Sequence, residues 1–491
     1  MAEPTDSRPQ ASSGGSPQGK IDGPPAGAVA PRLVLCWGWA IDAASQHGPG
    51  ISSVQVGLDG VPRGTATYGL PRYDVADVYG AACLASGWQF ALDLDDVPPG
   101  QHRLAVTARS AVSGQATTYE QTIMVAPAAA APVWRRDVLF ISGCPGASQR
   151  YRCEHAAEQV RLMGRTADVA EHGQVDLAAA LERYRLFILH RVQDGEDVAW
   201  FVAQARQRGR AVLYDVDDLV FDVAAVPSIA QVEQLSEREQ AQFRDCVERM
   251  GRALDRCDGA LVTTEPLRER VDGRLGSGCA HVAPNVVSQS MLRQAQAALV
   301  DHGACPAADD GAVPVRVGYF SGTPTHDRDL HAAVDGLLWA LETFPTLHFV
   351  TVGPVAVDDR FARFGERVEQ WPLHEWSHLP AALAAVDVNI APLEGASSFT
   401  DAKSSIKFLE AALVGVPTIA SPRSDFRRVI QPGVTGCLAD SAVDWRDALG
   451  HLVASADMRQ SMGQAARVDV LKHHTTAAQA SALWAHLGQL G

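Results

Sequence analysis

The chain has 491 residues, 46% of them hydrophobic and 20% charged, so we predict a soluble protein of about two to four domains. A formal net charge of -15 disfavours nucleic acid as a partner, because a phosphate backbone is bound by basic surfaces. The sequence has no run of about 18 apolar residues and no apolar core of a secretory signal near its start. We therefore expect a cytoplasmic protein, either free or peripheral at the inner membrane.

The first 127 residues contain two segments of different composition. Residues 1–30 are rich in Pro, Gly, Ser and Ala and have no apolar periodicity, which predicts a disordered tail. Residues 31–127 contain short runs of near period-two alternation, such as VQVGLDG and GWQFALDL, separated by turn signals. This pattern predicts an all-β sandwich domain. The Ala/Pro-rich segment that follows is typical of a linker.

Two series of alternating apolar runs and helical segments follow the linker, over residues 135–300 and 312–475. The runs of the first series are DVLFIS (137–142), LFILH (186–190), AVLYDV (211–216) and ALVTT (260–264). A long helix is predicted over 231–256, with Thr264 as the N-cap of the next one. The runs of the second series begin at VRVGYF (315–320). The fold class is therefore α/β, with two Rossmann-like domains, a C-terminal helix over 476–491 and a ligand-binding cleft between the domains.

The cysteines do not indicate a metal site. There are nine, without CxxC spacing and without clustered histidines, so we predict reduced structural thiols.

Several segments of the two Rossmann-like domains resemble one family. The stretch DAKSSIKFLEAALVGVPTIAS (401–421) resembles the donor-site helix and following strand of GT-B glycosyltransferases of the family-four, or group 1, type. Further similar segments are GYFSGTPTHDRD (318–329), RYR (150–152), YDVDDLVFD (214–222) and VAPNVV (282–287). The resemblance implies a nucleotide-sugar donor, a glycan or lipid-linked glycan acceptor, retention of configuration, and no metal or other cofactor.

The start of the helix within 401–421 contains the candidate donor-binding residues. Lys403, Ser404 and Ser405 lie where free N–H groups and the helix dipole would meet a diphosphate. Lys407 and Glu410 are three apart, so they share one helix face on which the Lys reaches phosphate and the Glu accepts ribose hydroxyls. An ordinary surface ion pair is the alternative explanation for these two residues.

One position departs from the family pattern. Many members carry a second Glu eight residues before the ribose-binding one, and that position is Ala402 here. The sugar-hydroxyl contact therefore has no assigned residue, and Asp401 and Glu394 are the candidates to replace it.

The loop after VRVGYF supplies the remaining donor-side candidates. Gly322 allows a close approach of backbone to phosphate, and Thr323 follows it. Arg328 or His326 would face the charge that develops on the leaving group. A surface residue at a helix N-terminus is the alternative for Arg328.

The candidates for the acceptor side are Arg150, Arg152, His190 and Asp217. Either Arg would bind an acceptor phosphate or the donor diphosphate, or would form a structural salt bridge. His190 ends a predicted strand and is an acceptor-side base or a structural histidine. Asp217 lies between the acids at 215 and 218, and these would bind loop backbone or acceptor hydroxyls, with Mg²⁺ as the alternative.

The sandwich resembles the small Ig-like modules that accompany polysaccharide glycosyltransferases. Trp37, Trp39 and Trp88 would form either a sugar-stacking platform or part of its core. We therefore predict a metal-independent glycosyltransferase of polysaccharide biosynthesis. The alternatives are a non-catalytic glycan-binding or assembly protein on the same scaffold and, more weakly, a sugar-nucleotide epimerase.

Overall fold

A computed structural model describes residues 16–30, 33–45, 48–94, 96–125, 136–229, 232, 235–303, 314–322 and 327–490. The chain divides into two compact units, Met1–Ala130 and Ala131–Gly491. Within the described residues, no helix is both long and apolar enough to span a membrane.

The first unit is built from two β-sheets that share one core. Their strand orders are β1-β3-β7-β6 and β2-β9-β8-β4-β5, and the shared core includes Cys36, Trp88 and Leu104. A short helix, α1, crosses between the sixth and seventh strands. The strands are β1 (Gln18–Gly23), β2 (Val29–Ala30), β3 (Leu33–Ile41), β4 (Ile51–Leu58), β5 (Val61–Thr65), β6 (Thr67–Leu70), β7 (Gly87–Asp93), β8 (Gly100–Ser110) and β9 (Ala116–Val125), and the helix is α1 (Tyr73–Tyr79).

The boundary that we predicted for the tail is wrong. Residues 18–30 contribute β1 and β2, because Ile21 is buried in the shared core and Gln18–Gly23 pairs with β3. Buried residues as isolated as Ile21, Gly23 and Ala30 in a polar segment are too weak a pattern to be recognised as strands. The predicted tail residues 1–15 lie outside the described residues.

The three tryptophans of this unit divide between core and surface. Trp88 is buried in the core, whereas Trp37 is exposed. Trp39 lies with its ring 5.5 Å from that of Tyr79. A platform that includes all three is therefore wrong, and only Trp37 and Trp39, two apart on β3, lie outside the core.

The second unit contains two six-stranded parallel sheets, which confirms the predicted pair of Rossmann-like domains. Their strand orders are β11-β10-β12-β13-β14-β15 and β18-β17-β16-β19-β20-β21. The first sheet consists of β10 (Arg136–Ser142), β11 (Ala167–Glu171), β12 (Tyr184–His190), β13 (Ala211–Val216), β14 (Gly259–Val262) and β15 (Ala280–Val282). The second consists of β16 (Val315–Phe320), β17 (Leu347–Val352), β18 (Val368–Trp371), β19 (Val388–Ala391), β20 (Thr418–Ala420) and β21 (Cys437–Leu438).

Helices cover both sheets. In the first domain they are α2 (Ala147–Gln149), α3 (His155–Leu162), α4 (Leu177–Arg183), α5 (Glu196–Gln207), α6 (Glu237–Arg256), α7 (Glu265–Leu275) and α8 (Gln289–Gly303), with a π-helical turn over Arg150–Glu154 between the first two. In the rest of the chain they are α9 (Asp327–Thr343), α10 (Leu379–Ala384), α11 (Ser398–Asp401), α12 (Ile406–Leu413), α13 (Ser424–Val429), α14 (Ala442–Ala454), α15 (Ala456–His473) and α16 (Thr476–Leu487).

Side-chain capping explains where α6 begins, but it does not explain the start of α7. The long helix predicted from residue 231 begins at Glu237, because Ser236 and Glu239 form a reciprocal capping box. Thr264 has the extended backbone of an N-cap before α7, but its side chain does not cap the helix.

The C-terminal helix returns to the first domain. Leu483 and Leu487 of α16 pack in one core cluster with Phe140 and Val160. The last element of the chain therefore links the second domain back to the first.

Candidate functional site

A cavity of about 420 Å³ lies between the two Rossmann-like domains, at the carboxyl ends of strands in both sheets. In the second sheet, β16 and β19 are neighbours although β17 and β18 lie between them in sequence. The chain therefore leaves these two strands in opposite directions, and such a switch point is where open α/β sheets bind ligands. The residues that follow the two strands and line the cavity are Ser321, Gly322, Pro392 and Leu393.

Helix α12 presents two predicted donor-binding residues to this cavity. Before the helix, the Ser405 N–H and hydroxyl both donate to Asp425 Oδ2, each at 2.7 Å. This contact fixes the turn from which Ile406 begins the helix. Lys407 and Glu410 then lie three residues apart, and both line the cavity.

The Lys407 ammonium is buried against backbone and an aromatic ring. Its Nζ donates to the Phe320 carbonyl at 2.6 Å and lies 4.2 Å from the Tyr319 ring centroid. Burial lowers the pKa of Lys407 to about 8, although the charges of Asp329 and Glu410 act in the opposite direction. The charge on this side chain therefore changes just above neutral pH.

Glu410 receives a hydrogen bond from the opposite domain. The Tyr151 hydroxyl donates to Glu410 Oε1 at 2.7 Å. Burial raises the pKa of Glu410, and the Tyr151 hydrogen bond together with the charges of Arg150 and Lys407 lowers it in part. The carboxylate thus already accepts one hydroxyl hydrogen in the cavity.

Two acids of the first domain line the cavity, and both have cationic partners. Arg191 Nε donates to Asp217 Oδ1 at 2.6 Å, and Lys403 Nζ donates to Asp218 Oδ2 at 2.7 Å. Burial alone would raise the pKa of Asp217, but the charges of Arg191 and His190 hold it well below its usual range. Across the described part of the chain, no group of three or more His, Cys, Asp and Glu side chains is placed to hold a metal ion.

His190 and Arg152 lie behind the cavity rather than in its lining. Arg152 donates to both oxygens of Asp215, at 3.0 and 2.7 Å, and His190 Nδ1 is 2.8 Å from Asp215 Oδ1. Burial lowers the pKa of His190, but its contacts with Asp215 and Cys144 outweigh burial and raise it to about 9. A protonated imidazole has no free lone pair, so this geometry fits the structural role considered for His190 better than that of a base.

Arg150 lies at the cavity wall and crosses to the second domain. Its guanidinium carbon is 4.6 Å from the Trp376 ring centroid, within cation–π range. Its Nε is buried and has no hydrogen-bond partner within the described structure. Arg150 therefore places a positive charge at the cavity wall.

The structure separates the candidates in the loop after β16. Gly322 lines the cavity, whereas Thr323 and His326 lie outside the described residues. Arg328 is the second residue of α9 and is not among the described residues of the cavity lining. Asp329, which sequence reasoning missed, is part of that lining.

Ala402, at the position of the expected second Glu, is buried and contacts the first domain through its backbone. The Ala402 carbonyl accepts a hydrogen bond from Thr264 Oγ1 at 3.1 Å. Of the carboxylates considered as replacements, neither Asp401 nor Glu394 belongs to the described lining. Asp329 lies there instead, and its Oδ1 accepts the Glu394 N–H at 3.0 Å.

One group of contacts between the two domains lies along residues 402–410. Phe399 and Ala402, just before or within this segment, pack into the core of the first domain. Four hydrogen bonds also join the first domain to this segment. They link Thr264 to Ala402, Asp218 to Lys403, Asn285 to Ser404 and Tyr151 to Glu410.

Sequence reasoning missed Tyr151, Arg191 and Trp376 as cavity residues. Tyr151 lies inside the RYR segment that resembles the family, and Arg191 directly follows the predicted strand end at His190. Tyr151 and Arg191 could therefore have been identified as cavity residues from the sequence. Arg191 also has a positive φ of 48°, a conformation that clusters at functional sites. Trp376 has no comparable local signal.

The comparisons with known proteins agree with this geometry. Residues 336–485 match a family described as glycosyl transferase-like, whereas no curated protein matches the chain. HepE of Anabaena, solved with UDP and glucose, has a TM-score of 0.50 at 13% identity, over 72% of this chain and 100% of its own. A glycosyltransferase from Rickettsia africae ESF-5 has a TM-score of 0.51 at 9% identity, over 72% of this chain and 98% of its own. The predicted GT-B fold of the second unit is confirmed, and residues 336–485 are glycosyl transferase-like in sequence.

Proposed function

We propose that this protein is a glycosyltransferase that moves a sugar from a nucleotide-diphosphate donor to a polysaccharide or other glycan acceptor, with retention and without a metal. The observation that carries the proposal is the pair Lys407 and Glu410. They share one face of α12 and line the cavity at the switch point of the second sheet. A cation and a carboxylate at this spacing suit a diphosphate and a ribose.

The donor diphosphate would lie against Lys407 and the start of α12. The Lys407 ammonium lies at the carboxyl end of β16, where it would neutralise charge that grows as the sugar leaves. Arg150 adds a positive charge at the cavity wall. Lys403 already pairs with Asp218, so its role would be to hold the cleft closed as well as to add positive potential.

Glu410 would bind the ribose. An ionised carboxylate accepts several hydrogen bonds, and the one from Tyr151 leaves capacity for a ribose hydroxyl. HepE was solved with UDP and glucose, which makes UDP the first nucleotide to test.

The acceptor would approach from the first domain. Asp217 and Arg191 line the cavity there as an ion pair, and such a pair offers both an acceptor and a donor of hydrogen bonds to sugar hydroxyls. Arg152, Asp215 and His190 would support this wall from behind. A lipid-linked glycan would require only that the cleft face a membrane surface from the cytoplasm.

A binding experiment tests the donor assignment. Thermal shift with UDP, GDP and dTDP identifies the nucleotide, since a ligand at 100 times its Kd adds about 2.7 kcal/mol to stability. Glu410→Gln should then weaken that nucleotide by about 1.5–3 kcal/mol, the range for a hydrogen bond to a charged group. Glu366→Gln, at an exposed position of the same domain, is the matched control. Equal affinity for both variants would remove Glu410 from the site.

A second candidate function is a non-catalytic glycan-binding or assembly protein. Ala402 favours it, because the position of the expected second Glu is buried and carries no carboxylate. Release of free nucleotide from UDP-sugar in the presence of acceptor separates the two functions. Nucleotide binding without release under any acceptor would support the non-catalytic one.

A further inference from the structure

A second cavity of about 400 Å³ opens at the carboxyl edge of the first sheet. It is lined by the turn after β10, including Gly143 and Cys144, and by His172 and Arg249. The first cavity does not share these residues, and the proposed transfer reaction does not use them. Cys144 is half-buried and is part of the lining of this second cavity.

Cys144 ends a chain of three side chains that have the chemistry of an activated thiol. Its Sγ lies 3.6 Å from His190 Nε2, a nitrogen that also lies 2.9 Å from Ser148 Oγ. His190 Nδ1 lies 2.8 Å from Asp215 Oδ1. His190 is fully buried, so its imidazole is held in this orientation. A histidine that is oriented by a carboxylate and that contacts a thiol is the arrangement that promotes thiolate nucleophiles.

The charges around Cys144 favour the thiolate on balance. Burial and the charge of Asp217 would raise the pKa of Cys144, but the hydrogen bond to His190 and the charges of His190 and Arg191 outweigh them, so the pKa lies below its ordinary value. The raised pKa of His190, about 9, means that the cation next to the sulfur is present at neutral pH.

Three other thiols of the described chain have a raised pKa rather than a lowered one. Burial raises the pKa of Cys36 to about 12. It also raises the pKa of the half-buried thiols Cys83 and Cys437. The Cys437 Sγ lies 4.0 Å from the Met462 sulfur. These thiols therefore serve as internal references in one protein sample.

We propose that Cys144 is a modification site, at which His190 and Asp215 hold a thiolate that attacks peroxides and other small electrophiles entering the second cavity. With hydrogen peroxide, the sulfur attacks one oxygen, an S–O bond forms and the O–O bond breaks. The sulfur is oxidised by two electrons to a sulfenic acid, and the peroxide is reduced. The leaving hydroxide takes the His190 Nε2 proton and departs as water.

Competitive alkylation of the full-length protein tests this proposal without any nucleotide. The protein is treated with limiting iodoacetamide at pH 7, and the carbamidomethyl content of each cysteine is read by peptide mass spectrometry. Each tenfold gain in thiolate gives about a threefold gain in rate, because nucleophilicity falls together with the pKa. We expect Cys144 to be alkylated at least about threefold faster than Cys437 and Cys83.

Peroxide and pH supply the second measurement. Hydrogen peroxide followed by dimedone should place the sulfenic-acid adduct on Cys144, and Cys144→Ala should lose that adduct. In the wild-type protein, the rate of Cys144 alkylation should rise at a lower pH than the rate for Cys437. This comparison needs no folded variant of His190.

His190→Gln tests the role of the imidazole where that variant folds. It should slow Cys144 alkylation to the rate of Cys437, while the rate of Cys437 itself stays unchanged. Alkylation of wild-type Cys144 no faster than Cys437, with the same pH profile, would overturn the proposal. A negative nucleotide-binding result would leave it intact, since none of these measurements uses the donor cavity.

Discussion

Lys407 leads to a pH-dependent prediction for donor binding. Its ammonium is buried at the cavity wall, and its pKa is lowered to about 8 in the free protein. A bound diphosphate favours the charged form. Binding at a pH above 8 must therefore first protonate Lys407, so the affinity for UDP should begin to fall as the pH approaches 8 and should fall steadily above it.

The size of the effect follows from the free-protein pKa. At pH 9 only about one Lys407 side chain in ten is charged, so the affinity for UDP should be about tenfold lower than at pH 7.5, or about 1.4 kcal/mol. The phosphate groups do not change the sign, since their second ionisation lies near pH 6. Uridine lacks the diphosphate, so its affinity should change far less over this range.

Isothermal titration calorimetry with UDP and uridine at pH 7.5 and 9 measures both values. Lys407→Arg should flatten the UDP profile, because a guanidinium stays charged throughout. A wild-type UDP affinity that does not change between these pH values would refute the placement of the diphosphate on Lys407. A parallel loss for uridine would instead assign the effect to the nucleoside part of the site.

Three further outcomes test the rest of the architecture. Asp215→Ala leaves Arg152 and His190 buried without their counter-charge, so it should cost about 3–5 kcal/mol of stability and about 4–7 °C in Tm for a unit of this size. Asp255→Ala, which removes an exposed pair with Arg274, should cost no more than about 1 kcal/mol, and equal losses by calorimetry would contradict a special role for the buried cluster. Deletion of residues 1–130 should leave a soluble, nucleotide-binding protein, because each unit has its own core; an insoluble product would argue against independent folding. Initial transfer rates in excess EDTA should stay within about twofold of those with Mg²⁺, or about 0.4 kcal/mol in the barrier. If EDTA stops transfer, Mg²⁺ restores it and Asp217→Asn prevents that restoration, a metal neutralises the leaving group.

The parallel sheets could be predicted from the sequence because central strands are buried on both faces. DVLFIS and LFILH lie within β10 and β12, and such continuous apolar runs are typical of strands in a parallel sheet. The strands of these sheets that we missed are β11, β15 and β18, which lie at the outer edges of their sheets. All three are mostly half-buried or exposed, so they lack the apolar run on which the prediction depends.

The donor side of the site could be predicted from spacing within one helix, whereas the contacts across the cleft could not. Lys407 and Glu410 reach the same cavity because of helical periodicity. The pairing of Lys403 with Asp218 joins residues 185 positions apart, and no local pattern encodes such a pair. The π-helical turn over Arg150–Glu154 was also missed. An α-helix would separate three consecutive side chains by about 100° each, and a wider turn changes where they point.

The group of interdomain contacts along residues 402–410 has a thermodynamic consequence. One short segment both contacts the first domain and contains Lys407 and Glu410. Domain closure and ligand affinity are therefore linked equilibria. Only molecules in the closed form present the complete site, so the apparent affinity scales with the closed fraction. A substitution such as Asn285→Ala, which removes a contact to Ser404 and touches no ligand, would then weaken every nucleotide by the same factor. Selectivity among nucleotides would be preserved, and that pattern distinguishes a residue that closes the cleft from one that recognises the donor.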